Sequence, residues 1–236
     1  MKGGQSYRCR KTVVAAAVLS GRLRVGTRAA TSLMVAVLLP LASASARTIT
    51  LTMRDVDRAA SIGDQNPRAS WAGWENGPGL FTDFYLGCTP TQGVLLRFPL
   101  DQIPANQRIV NAQLATMSYA TQGQRLFVWR LLADWGPGVC HLYRQTRPEK
   151  VSWAQPGARG PGVDRAIQPT RVVPMQSGVN QPQIDVTPDV QLWYTGAAKN
   201  NGWLLCAEDE GSVFWFYSFT ADWQGSWWLQ ITYEPQ

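Results

Sequence analysis

The sequence predicts an all-β protein, and three observations carry the prediction. Short β-branched and aromatic runs bounded by Gly, Pro, Asn and Asp recur along residues 47–236. No amphipathic helix of any length interrupts them. The segment Trp227–Tyr233 alternates strictly, with Trp227, Leu229, Ile231 and Tyr233 on one face and Trp228, Gln230 and Thr232 on the other. Such alternation suits a sheet with one face packed on a core. Eight or so strands with loops gathered at the ends predict a single jelly-roll-like antiparallel β-sandwich.

Residues 1–46 read as a leader rather than as part of the sandwich. They hold Lys2, Arg8, Arg10, Lys11, Arg22, Arg24 and Arg28 and no acidic residue, followed by the apolar run Ser32–Leu41 and the small residues Ala42–Ala46. This is the layout of a secretory signal peptide, with cleavage expected after Ala46. The apolar run falls short of the roughly 20 residues that span a bilayer, and no later segment is long and apolar enough to try. The predicted protein is therefore secreted, extracellular or at the cell surface, with no membrane span after cleavage.

The remaining 190 or so residues can bury one core as a single domain, 47–236. Strands are predicted at Thr48–Met53, Gly93–Phe98, Ile109–Tyr119, Arg125–Leu132, Gln183–Val186, Gly202–Ala207, Val213–Ser218 and Trp227–Tyr233. One short helix is predicted over Thr187–Tyr194, with Thr187 as cap, Pro188 at the first helical position and Asp189 in the first turn. Val190, Trp193 and Tyr194 would face the sandwich. The Pro/Gly-rich stretches Asn66–Gly79 and Gln155–Gly162 read as loops. Cys88, Cys140 and Cys206 allow either one disulfide and one free thiol or three buried unpaired cysteines, and no CxxC pair suggests zinc.

Charge excludes one class of function. The net charge of +6 invites a nucleic-acid reading, but seven of the 22 basic residues lie in the leader. Its removal leaves 15 basic against 16 acidic residues, which is not the cationic excess that phosphate binding needs.

Four segments in order resemble the DNRLRE domain, a β-sandwich of secreted and surface proteins that overlaps carbohydrate-binding module family 96. They are Val94–Ala105 with Ile109–Leu114; Leu126–Trp135 with Val151–Trp153 and Pro156; Ile184–Trp193 with Asn200–Leu205; and Phe216–Ser218 with Leu229–Tyr233. The longer separation of the two tryptophan motifs, across Gly136–Lys150, and the irregular Asn66–Phe84 depart from the family pattern. The resemblance implies a polysaccharide partner, with alginate-type polyuronates bound through basic residues. Trp135, Trp153 and Trp193 read as core residues, because a buried Trp contributes a large apolar area.

Catalysis finds few parts. The chain has one histidine, His141, beside Cys140, and no GxSxG, HExxH or P-loop pattern. Carboxylates for glycoside hydrolysis would come from Asp55, Asp57 and Asp64 or from Glu208, Asp209 and Glu210, and nothing in the sequence sets two across a cleft. No cofactor is expected, although Asp55, Asp57 and Asp64 could offer oxygen ligands to a structural calcium ion.

Sugar binding asks for aromatic faces, planar polar groups and, for uronates, cations. Trp71, Trp74, Phe81, Phe84 and Tyr85 supply the first, and Arg54, Arg58, Arg68, Arg97, Arg130 and Lys150 the last. The expected function is non-catalytic carbohydrate binding. The competing expectation is a structural or adhesive protein whose partners are cell-surface or matrix components.

Overall fold

The computed structural model describes residues 45–68, 85–120, 124–217 and 227–236, all within one unit, Ser43–Gln236. The predicted leader up to residue 44 lies outside the described residues, as do Trp71, Trp74, Phe81 and Phe84. Strands run in the order β1 (Arg47–Thr52), β2 (Arg58–Gly63), β3 (Tyr85–Cys88), β4 (Gln92–Arg97), β5 (Gln107–Thr116), β6 (Ser118–Ala120), β7 (Gln124–Arg130) and β8 (Tyr143–Gln145). They continue through β9 (Val151–Ser152), β10 (Arg171–Met175), β11 (Gly178–Asn180), β12 (Gln183–Asp185), helix α1 (Thr187–Tyr194), β13 (Trp203–Cys206), β14 (Phe214–Tyr217) and β15 (Trp227–Pro235).

Every pairing between these strands is antiparallel. One layer has the order β1-β15-β5-β12 and the other β10-β7-β13-β4-β2. Setting β2 aside as an extra edge strand, the eight long-range strands β1, β4, β5, β7, β10, β12, β13 and β15 divide between the layers in jelly-roll order, with only the consecutive pair β7 and β10 sharing a layer. The small sheet β11-β6-β14-β3 repeats the first layer's order one step further along the strands. Thr116 faces Trp227 and Ser118 faces Phe216, so β6 prolongs β5 while β14 and β15 form one interrupted column.

The core lies between the layers. Leu51, Leu114, Leu229 and Ile231 of one sheet and Val94, Leu96, Leu126, Val128 and Leu205 of the other are all 0% exposed within one apolar cluster. Trp227, Leu229, Ile231 and Tyr233 are buried as the alternation predicts, while Trp228, Gln230 and Thr232 are half-exposed.

The second layer is buried on both faces. Its outward residues Ala60, Leu95, Leu204 and Cys206 are also fully buried, beneath the segment 132–170. That segment anchors through Arg58 Nη1 to Asp134, Trp135 Nε1 to the Asn201 carbonyl, and the Arg165 guanidinium 3.8 Å from the Trp129 ring centroid. Asp164, 1% exposed, knots the loop by accepting the N–H groups of Ala154, Gln155 and Gly160. Trp135 and Trp153 are core residues, as read from the sequence, but of this second, outer core; Trp193 packs with Trp203 between the layers.

One expectation is corrected, and one pair of alternatives is decided. Helix α1 occupies the predicted residues, but Thr187 is not its cap: Val186 holds that position and makes no side-chain cap bond. The Thr187 hydroxyl instead accepts the Ala112 N–H at 2.8 Å, tying the helix to β5, and Asp185 accepts the Thr187 N–H. The three described cysteines, Cys88, Cys140 and Cys206, are free and buried, with no disulfide among them.

Candidate functional site: a basic cleft on the outer hairpin

The hairpin β8–β9 lies within the segment that covers the second layer. Its approach is set by Gly138, whose φ of +73° suits glycine and whose Cβ, if present, would fall 1.7 Å from Thr146 Oγ1. Thr146 N donates to the Pro137 carbonyl at 2.8 Å, which folds the hairpin back on its own entry. The Leu142 N–H then reaches the Pro67 carbonyl at 3.2 Å and brings Arg68 alongside.

The result is a cavity of about 260 Å³ lined by Arg68, Tyr143, Thr146 and Lys150. The Lys150 ammonium stands 5.8 Å from the Tyr143 ring centroid, within cation–π range. Arg68 and Lys150 are exposed, Tyr143 and Thr146 half-buried. Among the described residues neither cation has a carboxylate partner within 4.0 Å. The lining thus offers a guanidinium fork, an ammonium, a hydroxyl and an aromatic face, which together suit a carboxylate-bearing sugar.

The other basic candidates lie elsewhere, and three of them are engaged. Arg58 bonds Asp134 and the Trp135 carbonyl, Arg97 bonds Asp57, and Arg130 bonds the buried Asp189 at 3.1 Å. Arg54 is exposed in the turn after β1. Tyr85 enters β3, and its side chain is outside the described residues. Of the eleven sequence candidates, the fold joins Arg68 and Lys150. Tyr143 and Thr146 were not anticipated, and the only local sign of them is an aromatic residue and a lysine flanking a Pro-containing turn.

The carboxylate candidates disperse as well. Asp55 accepts from Thr52 and Gln102, Asp57 holds Arg97, and Asp64 is exposed after β2. Among the described residues no group of three metal-binding side chains forms, so the calcium trio does not converge. Glu208 is clasped by Arg165 at 2.6 Å and Arg159 at 3.0 Å, and Asp209 by Arg125.

His141 sits beside the hairpin with its Nδ1 buried and without a hydrogen bond. Burial lowers its pKa; Asp64 opposes this and Arg159 adds to it, favouring the neutral ring. The Cys140 thiol next to it is buried.

The fold and this site define a jelly-roll sandwich with a small cationic, aromatic-walled cleft on its outer cover. No protein-family model matches the chain and no curated protein matches it, so the resemblance to the DNRLRE domain has no support from these comparisons.

Proposed function

We propose that this is a secreted, non-catalytic carbohydrate-binding protein that takes an acidic polysaccharide, such as a polyuronate, at the Arg68–Tyr143–Thr146–Lys150 cleft. One observation carries the reading. Arg68 and Lys150 flank an aromatic ring and have no carboxylate partner among the described residues, whereas Arg58, Arg97 and Arg130 are neutralised inside the fold. The cleft has room for about one sugar residue, so affinity would come from weak contacts repeated along a chain.

The test is retention on immobilised alginate at two salt concentrations, with neutral glycans as comparators. Salt-sensitive retention that falls in Arg68→Ala and in Lys150→Ala supports the reading. Equal behaviour of wild type and both variants overturns it and favours a structural or adhesive role.

A further inference from the structure

A second cavity lies away from the basic cleft. It measures about 490 Å³ and is lined by the start of β5, by α1 and by Gln236. This volume falls in the usual range for small-molecule sites. Its chemistry differs in kind from that of the basic cleft.

Three glutamines line it, and each is oriented by a bond that its own amide nitrogen donates. Gln107 Nε2 donates to the Ala105 carbonyl at 3.2 Å, Gln191 Nε2 to the Ile109 carbonyl at 3.0 Å, and Gln236 Nε2 to the Gln107 carbonyl at 3.1 Å. An amide anchored through nitrogen keeps its oxygen as a free acceptor, and no described residue donates to any of the three Oε1 atoms. Thr195 donates its hydroxyl to the carbonyls of Gln191 and Leu192, which leaves that oxygen as a further acceptor. Arg108, the cation among the described lining residues, is bound to Glu234.

Pro188 and Leu192 form the apolar side, with Leu192 36% exposed. Tyr194 is pinned by its hydroxyl, which donates to the Pro104 carbonyl at 2.6 Å and accepts the Gln107 N–H at 2.9 Å. Its ring therefore borders the groove in a fixed orientation.

From the anchored amide oxygens and the apolar strip beside them we infer that this groove is a second binding site, for a neutral, hydroxyl-rich ligand of the size of one or two sugar rings. Hydroxyl groups would donate to the Gln107, Gln191 and Gln236 oxygens, and the C–H face of a ring would lie on Leu192 and Pro188. An anion is disfavoured, because the amide oxygens left free are acceptors and Arg108 is already paired with Glu234.

The probes are cellotetraose, mannotetraose and trigalacturonate, titrated into the ¹⁵N-labelled protein. At least one neutral tetrasaccharide is expected to shift the amides of residues 107–109 and 188–195 saturably, with trigalacturonate leaving them unmoved. Leu192→Asp and Gln191→Met, both at exposed positions, are each expected to weaken this binding at least tenfold with the amide spectrum otherwise retained. Arg68→Ala leaves it unchanged, so it stands or falls separately from polyuronate binding. Absence of shifts at these residues with both neutral probes, or equal affinity in both variants, overturns the inference.

Discussion

Arg165 holds two partners at once: its guanidinium lies 3.8 Å from the Trp129 ring centroid while Nη1 donates to Glu208 at 2.6 Å. Arg159 reaches the same carboxylate and also the Thr89 carbonyl at 3.3 Å, so Glu208 fastens the outer cover to the β3–β4 turn and to the exit of β13. Removing the carboxylate in Glu208→Ala leaves two largely buried guanidinium groups unpaired. The expected loss is about 2–4 kcal/mol, reduced from the fully buried case by residual solvent access. Urea unfolding of the variant measures it, and a loss under about 0.5 kcal/mol, the size of an ordinary surface change, would reject the clasp.

The same carboxylate gives a pH signature. Burial pushes the Glu208 pKa up, but the hydrogen bond and charge of Arg165 and the charge of Arg159 outweigh it and hold the group below its ordinary value of 4.5. A depressed folded-state pKa contributes stability that is present above the unfolded value and lost as pH falls through the folded one. The urea midpoint of the wild type should therefore drop below pH 4.5 more steeply than that of Glu208→Gln. Parallel acid limbs would show that the pairing adds nothing.

Asp189 behaves in the opposite sense. Burial raises its pKa despite bonds from Thr170, Trp203 and Arg130, so its contribution is fully present below the unfolded value of 3.8 and is lost as pH rises through the folded pKa. Trp203→Phe keeps most of the buried ring but removes the Nε1 donor, 2.8 Å from Asp189. It should cost about 1–3 kcal/mol at neutral pH and less in acid, where the carboxyl is protonated. A cost independent of pH would assign the loss to packing alone.

Gly202 precedes β13 with φ +78°, and a Cβ there would lie 2.2 Å from the Leu96 carbonyl oxygen. Both the backbone conformation and the contact oppose a side chain. Gly202→Ala should destabilise the fold by about 3 kcal/mol or more, read from thermal or urea unfolding. A near-neutral result would mean that β4 and β13 do not pair in this register.

The thiols should be silent in the native protein. Burial raises the Cys88 pKa, with Cys206 adding to the effect, and burial pushes Cys206 up to about 12. Iodoacetamide at pH 8 should label Cys88 and Cys206 only after denaturation, because the thiolate is the reactive form. Rapid native labelling of either would place it at the surface.

Several elements were legible because local pattern and tertiary role agree. The alternation of Trp227–Tyr233 can satisfy only a one-sided sheet, and α1 falls on its predicted residues because Pro188 and Asp189 suit a first turn. β2 escaped notice because Arg58–Gly63 is built of small residues buried on both faces and shows no alternation. β10 was missed because Pro174 interrupts its valines, a residue that an edge strand tolerates.

Composition and period act locally, and they are enough to specify the all-β class, the core strands β4, β5, β7, β13 and β15 and the near balance of charge in residues 47–236. Which charges remain available is settled by long-range packing. Whether an arginine is neutralised depends on which carboxylate the fold brings to it: Arg58 meets Asp134, Arg97 meets Asp57 and Arg130 meets Asp189. Arg68 instead meets Tyr143 and Lys150, through a backbone bond between Leu142 and Pro67 that no local signal encodes. Long-range pairing follows from how two sheets and their cover stack, and that stacking is set by the summed burial of the whole core.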